Sequence, residues 1–156
     1  SLSVQALAGD TVTVSGTPLG QFGDKNAALG KTVQITGIQL GGADAGNYTV
    51  VGATGVTADI TPRLLTVSGV TAASKVYDGT TNATLGGSAS ISALPGDSVF
   101  ISGGVQGHFA DKNVGTGKLV TLDGLTLSGL DAPNYALAPV APTMADITPR
   151  PIVARA

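Results

Sequence analysis

The chain has 156 residues, a formal net charge of −2, only 12% charged residues and no cysteine. These values exclude disulfides and give no reason to expect a nucleic acid or an anionic membrane surface as partner. All ten acidic residues are Asp, and 23 residues are Gly, so strong helix formers are scarce and strands with tight turns are favoured. No apolar run approaches the roughly 18 residues that span a bilayer, which predicts no membrane insertion.

Alternating apolar and polar residues predict short strands along the whole chain. In residues 1–63 they cover 10–16 and 31–40, the latter bent at Gly37. In chain order, the later predicted strands are 64–70, 75–78, 81–85, 97–103, 118–123, 125–128, 134–137 and 144–147, with a bend at Gly124 and a break at 86–88. Val99 and Ile101 are predicted to face inward and Phe100 outward.

The chain repeats itself without a gap at an offset of 87 residues: residues 1–63 are identical to residues 88–150 at 30 of 63 positions. The repeat predicts a truncated module over 1–63, a complete module over 64–150 and the start of a third over 151–156. We therefore expect a segment of a longer array, whose neighbouring repeats are its first partners.

The predicted fold class is all-β, with small sandwich-like modules joined end to end in a semi-rigid rod. Only Thr-Pro-Arg separates the last strand of one module from the first of the next, and proline keeps such a junction short and stiff. A continuous β-solenoid is the alternative, although 87 residues is a long period for one. Residues 1–63 lack the counterparts of 64–87, which predicts an open edge or cleft where strand addition could occur.

The sequence offers few residues for chemistry, so we expect no enzyme, metal or cofactor. His108 is the only histidine, and Gln21 replaces it in the other copy, which favours a loop residue over a catalytic or ligating one. The recurrent Asp residues lack the calcium-loop spacing and are predicted to cap turns, with Asp131 capping its own turn. The recurrent aromatic residues are assigned to the core.

Three kinds of site remain as hypotheses: an isopeptide bond, glycosylation and an exposed aromatic contact. Lys75 and Asn134 could condense to an isopeptide bond with loss of ammonia if Asp111 shuttled the protons. Asn47 and Asn82 each begin an Asn-x-Thr sequon and are candidate glycosylation sites. Phe100 has Thr13 as its counterpart and is the candidate exposed aromatic contact.

Four segments together resemble the YDG-type repeat of filamentous-haemagglutinin-like, two-partner-secreted adhesins of Gram-negative bacteria. They are Lys-Val-Tyr-Asp-Gly-Thr-Thr-Asn-Ala-Thr-Leu at 75–85, Phe-Ala-Asp-Lys-Asn-Val-Gly-Thr-Gly-Lys at 109–118, Leu-Thr-Leu-Ser-Gly-Leu-Asp-Ala-Pro-Asn-Tyr at 125–135 and Ala-Asp-Ile-Thr-Pro at 145–149. The resemblance covers 64–150 and, without the Tyr-Asp-Gly segment, 1–63.

This resemblance implies location and role rather than a reaction. Such proteins are extracellular, associated with the outer membrane at the bacterial cell surface, and act in attachment, cell-cell contact or biofilm. The leading expectation is a structural stalk repeat that extends a distal recognition domain. The alternative is a low-affinity, multivalent repeat that binds a glycan or protein of a host or bacterial surface.

Overall fold

A computed structural model of the chain describes residues 3–52 and 55–155. The described residues form fourteen strands and two short 3-10 turns, so the predicted all-β class is confirmed. The chain divides into two compact units, residues 1–61 and 62–156, here called unit 1 and unit 2. Within the described ranges, no helix has the length and apolar character needed to cross a membrane.

Unit 1 is one antiparallel sheet of three strands in the order β1-β2-β3. The strands are β1 (Thr13–Phe22), β2 (Ala28–Gly41) and β3 (Thr57–Ile60), and a 3-10 turn covers Ala45–Asn47. The β1–β2 pairing places Phe22 opposite Val33. No described residue of unit 1 is fully buried, because a single three-stranded sheet leaves both of its faces partly open to water.

Unit 2 contains the remaining strands and a second 3-10 turn at Ala132–Asn134. The strands are β4 (Arg63–Leu65), β5 (Ser68–Ala72), β6 (Lys75–Val76), β7 (Asn82–Ala83), β8 (Leu85–Ser90), β9 (Phe100–Ser102), β10 (Gln106–Phe109), β11 (Gly115–Asp123), β12 (Thr126–Ser128), β13 (Tyr135–Leu137) and β14 (Thr143–Thr148). Five of them form a sheet in the order β6-β14-β11-β10-β7, and the others pair as β12-β9, β13-β4 and β5-β8. The β4–β13 and β6–β14 pairs are parallel, and the other pairs are antiparallel.

The larger core of unit 2, here called the sheet core, lies against the five-stranded sheet. It consists of Phe109, Val120, Ala145 and Ile147, and Tyr77 packs on its border. Val120 is completely buried and Leu119 beside it is 50% exposed, which is the alternation expected of a half-buried strand.

A smaller core, here called the end core, consists of Leu65, Val99 and Tyr135. Ile101 is partly buried on the same side of its strand as Val99, whereas Phe100 is 60% exposed. The predicted inward face of this strand is therefore confirmed. Phe109 and Tyr135 lie in these cores, as assigned, whereas their counterparts Phe22 and Tyr48 in unit 1 are only partly buried.

Two strand predictions in unit 2 were wrong. The strand predicted over 64–70 is two strands: β4 pairs with β13, whereas β5 pairs with β8, and no single straight strand can serve both partners. The break predicted at 86–88 lies inside β8. Gly69 and Gly87 have positive φ and face each other at an irregular step of the β5–β8 ladder, so the glycines form a bulge there instead of ending the strand.

The predicted bend at Gly124 is confirmed, although the strands on its two sides do not pair with each other. Gly124 has a φ of 82° and separates β11, which pairs with β10, from β12, which pairs with β9. A Cβ atom at Gly124 would collide with the Gly104 carbonyl across the ladder, so only glycine fits this bend. The corresponding bend in unit 1, at Gly37, lies inside the continuous strand β2.

Candidate functional site

The Tyr-Asp-Gly segment of unit 2 is a turn between β6 and β7 that is closed by a lysine. The Lys75 ammonium donates hydrogen bonds to Asp78 Oδ1, to the Thr80 carbonyl and to the Asn82 carbonyl, each at 2.9 Å. Asp78 Oδ1 also accepts a 2.9 Å bond from the Thr80 backbone N–H, and the ammonium lies 5.5 Å from the centroid of the Phe109 ring. The turn is thus tied to the sheet core.

The charge of Lys75 has a clear effect on its partner. Hydrogen bonding from the ammonium, followed by that from the Thr80 backbone N–H, lowers the pKa of Asp78 to about 2. Asp78 is therefore ionised at neutral pH and accepts three hydrogen bonds through one carboxylate oxygen. This arrangement stabilises a turn and leaves the carboxylate unsuited to act as a base.

A second lysine closes the turn that follows β10. Lys118 Nζ contacts Asp111 Oδ1 at 2.5 Å and the Asn113 carbonyl at 2.7 Å, and the Asn113 N–H donates to the same Asp111 oxygen at 2.7 Å. Hydrogen bonding from Lys118 lowers the pKa of Asp111. Unit 1 repeats these contacts with Lys31, Asp24 and Asn26.

Two further Asp residues of each unit bond to backbone that is distant in sequence. In unit 2, Asp131 Oδ2 accepts from the Ser98 N–H at 2.8 Å and Asp146 Oδ1 from the Gly117 N–H at 2.7 Å. The counterparts in unit 1 are Asp44 with Thr11 and Asp59 with Gly30, at 2.8 and 2.7 Å. The prediction that Asp131 caps its own turn was wrong: Asp131 precedes the 3-10 turn without a side-chain capping bond, and its Oδ2 atom bonds to Ser98, 33 residues away, because the segment before β9 lies beside the start of this turn.

A buried tyrosine completes the repeated polar network. Tyr135 donates from its hydroxyl to Asp97 Oδ2 at 2.6 Å and accepts from the Leu94 N–H at 3.0 Å. The bond to Asp97 raises the Tyr135 pKa, since ionisation would remove the donated proton and then leave two negative charges side by side. Tyr48 makes the same contacts with Asp10 and Leu7 in unit 1, and its pKa is raised for the same reason.

His108 lies on strand β10, so its assignment to a loop was wrong. Its Nε2 atom is 3.9 Å from Asp123 Oδ2, and its side chain is 39% exposed. A β-strand was not expected there because the Gly-rich stretch before it suggested a turn. In residues 3–52 and 55–155, no three His, Cys, Asp or Glu side chains are grouped as a metal site would require.

The three residues of the isopeptide hypothesis lie in different contexts. Lys75 is held by the Tyr-Asp-Gly turn, and Asp111 is paired with Lys118. Asn134 ends the 3-10 turn before β13, a strand that pairs with β4 outside the five-stranded sheet. The hypothesis stays a prediction, and an intact mass equal to that of the unmodified chain would reject it.

The other candidate residues are accessible. Asn47 ends the 3-10 turn of unit 1, Asn82 begins β7, and both are exposed, so glycosylation at either remains a prediction. Phe100 is exposed on β9, as predicted, and its role in binding also remains a prediction. Sequence reasoning missed the turn-closing role of Lys31 and Lys118. The signal for them was the Asp-Lys-Asn segment followed four residues later by Gly-Lys in both copies.

Unit 1 also contains a cleft of about 240 Å³ with a lining that is partly apolar and partly polar, here called the unit 1 cleft. The side chains that line it include Val4, Ala6, Val12, Leu40, Tyr48 and Val50. Val4 is 39% exposed and Val50 is 43% exposed. An open edge or cleft in the truncated module was expected from the sequence, and the structure gives its lining.

Comparisons with known proteins agree with the repeat. A family model described as the YDG domain matches residues 1–57 and again residues 61–143, which together are most of the chain. No curated protein and no solved structure matches. The chain belongs to the YDG domain family, as two successive matches to its model.

Proposed function

We propose that this chain is a structural stalk repeat of a large bacterial cell-surface adhesin. The observation that best supports this proposal is that the same side-chain-to-backbone hydrogen bonds recur at equivalent positions of both units. The polar side-chain atoms involved form hydrogen bonds within the chain. They belong to Asp24 and Asp111, to Asp44 and Asp131, and to the two tyrosines with their Asp partners. A module that keeps these bonds in each copy is built to hold its shape.

The charged groups of unit 2 support this proposal. The lysines of the two closed turns are each bonded to an Asp and to backbone carbonyls, and their side chains are 15% or less exposed. Residues that perform acid–base or nucleophilic chemistry need to reach a substrate. We therefore propose a role without catalysis or a cofactor.

The extracellular, outer-membrane-associated location belongs to the same proposal. It rests on the resemblance to a family whose members are displayed outside the cell. On this proposal the stalk places a distal recognition domain at a distance from the cell, for attachment, cell-cell contact or biofilm. The stiff Thr-Pro-Arg junction would transmit that distance, since proline restricts both itself and its predecessor.

Small-angle X-ray scattering tests the stalk role. Chains with two, three and four copies of residues 64–150 should show a maximum dimension that grows linearly with copy number. Replacing each Thr-Pro-Arg junction by Gly-Ser-Gly should shorten the mean dimension, because a flexible linker lets the repeats approach each other. A dimension that levels off with copy number would contradict the proposal.

A multivalent binding repeat is the rival function. Phe100 favours it, since 60% of this large aromatic residue is exposed and aromatic faces stack on sugar rings. Thr13 occupies the equivalent position in unit 1, however, so this contact is not repeated. A glycan array probed with a four-copy chain and with its Phe100→Thr variant discriminates the two functions. Binding that the variant loses would favour the rival.

A further inference from the structure

The first strands of unit 2 are joined to its last strands by parallel pairs. In residues 62–155, all of which the structure describes, β4 pairs in parallel with β13 and β6 with β14, and the other strand pairs are antiparallel. Strand β4 begins at the Thr-Pro-Arg junction at 61–63, and β14 ends at the Thr-Pro-Arg junction at 148–150. Both parallel pairs therefore lie on the path between the two junctions.

The relative direction of two paired strands determines how they respond when the chain is pulled. Tension applied at the two junctions enters β4 at its first residue, Arg63, and leaves β13 after its last residue, Leu137, on the way to β14. Because the strands are parallel, these two points lie at opposite ends of the pair. The strands are then forced to slide along each other, and the ladder hydrogen bonds are strained together. In an antiparallel pair the two points would lie at the same end, and the bonds would open one after another.

The β4–β13 pair is held by hydrogen bonds and by the end core. Three residues of each strand are in register, beginning with Arg63 opposite Tyr135. The Ala138 N–H donates to the Leu65 carbonyl at 2.8 Å, and the Leu65 side chain belongs to the end core and is only 3% exposed. Sliding of β4 would therefore break ladder bonds and expose a core side chain in the same step, which costs more than either loss alone.

The end of β14 is bound to β6 by several hydrogen bonds. The carbonyl of Thr148, the threonine of the second junction, accepts from the Tyr77 N–H at 2.9 Å, and its hydroxyl donates to the Lys75 carbonyl at 3.3 Å. The Asp146 N–H donates to Ser74 Oγ at 2.9 Å. Strand β6 is itself bound by the closed Tyr-Asp-Gly turn, so tension on β14 is passed to the five-stranded sheet.

We propose that unit 2 is a tension-resistant module, in which the two parallel pairs oppose a force applied along the chain at its Thr-Pro-Arg junctions. This role rests on the proposed stalk function, because an anchored stalk with a load at its far end is pulled in this direction. Resistance to force depends on the rate of unfolding, which pairs that must break in one step keep low.

Optical tweezers measure the force at which unit 2 unfolds in a chosen direction. The chain has no cysteine, so DNA handles attach only through the two thiols that are introduced. The chain with Thr61→Cys and Pro149→Cys is pulled along the proposed direction, and both positions are exposed. Unit 1 lies outside the stretched segment and remains attached.

A control chain is pulled so that the β4–β13 pair peels open. Thr61→Cys is kept, and Pro133→Cys places the second handle just before β13, so that both strands are pulled at their first residues. Pro133 is exposed, and Gly46 occupies its position in the 3-10 turn of unit 1, so this turn does not require proline. The rupture force along the proposed direction should exceed that of the control by roughly two- to threefold, because the three register pairs share the load instead of bearing it singly.

The extension released at rupture identifies the event. Along the proposed direction, unit 2 should unfold in one step that releases about 88 residues, or roughly 290–320 Å of extended chain. Equal rupture forces in the two directions would overturn the proposal, and so would an early, separate release of β4 at low force. Neither result would reject the stalk function, which the scattering experiment tests separately through the growth of the maximum dimension with copy number.

Discussion

A valine occupies equivalent positions in the two units, in a closed core in unit 2 and in an open one in unit 1. This pair permits a matched test of how much burial by the covering strands contributes to stability. Val120 on β11 is completely buried in the sheet core, whereas its counterpart Val33 on β2 is only partly buried. Replacing either residue by alanine removes the equivalent of two methylene groups. Only at Val120 is the whole of that apolar surface shielded from water.

The expected cost follows from burial. Removing two fully buried methylene equivalents costs about 1.6 kcal/mol in transfer free energy, and the cavity left beside Phe109 raises the total to about 2–3 kcal/mol. For a unit of this size, that lowers the melting temperature by about 10–20 °C. At Val33 solvent already reaches the side chain and can occupy the vacated space, so we expect Val33→Ala to cost about 1 kcal/mol or less.

Native-state hydrogen exchange is the appropriate assay, because two units need not unfold in a single transition. Amides of β11 report the opening of unit 2, and amides of β2 report that of unit 1. Val120→Ala should lower the protection of β11 amides and leave that of β2 unchanged. An equal loss of stability in the two variants would refute the conclusion that unit 1 has an open core.

Three further predictions concern the turns and the close contacts. Because the Asp78 pKa is lowered from an ordinary 3.8 to about 2 by Lys75, its ionised form stabilises unit 2 above pH 4, and this contribution should be lost as pH falls from about 4 to 2. Urea unfolding at several pH values should therefore show a weaker acid dependence in Asp78→Asn, and an unchanged dependence would contradict this. Tyr135→Phe should lower the melting temperature of unit 2, because it removes the hydrogen bond to Asp97. It should also remove a loss of stability above pH 10, because folding favours the protonated form of a hydroxyl whose pKa is raised. Thermal melts at several pH values, together with spectrophotometric titration of the tyrosines, check both effects. Gly107→Ala should cost about 1–3 kcal/mol, because its Cβ would lie 2.6 Å from a leucine methyl carbon and within 3.2 Å of two further side-chain carbons. Gly20→Ala should cost less, because its Cβ would lie 2.9 Å from one valine methyl carbon and 3.5 Å from an isoleucine methyl carbon in the more open unit 1. Denaturant melts that rank the two variants in the opposite order would contradict this.

Much of this protein follows from its sequence by local rules. Composition and alternation indicated an all-β chain, because Gly, Val, Thr and Asp favour strands and turns over helices. The offset of 87 residues revealed the repeat, and the alternation around Val99 and Ile101 identified the inward face of their strand. The assignment of the recurrent aromatic residues to the core also rested on local composition, since few other large side chains are present.

The partners of each strand and side chain were decided only by tertiary structure. Asp131 bonds to Ser98 across 33 residues, and β4 separates from β5 to join β13 in parallel. Neither contact has a periodic signal, because a hydrogen bond between distant segments depends on how the sheets pack and not on residue spacing. The lining of the unit 1 cleft has the same origin: Tyr48 and Tyr135 have equivalent local sequences, and the presence of Leu65 beside only one of them determines which is buried.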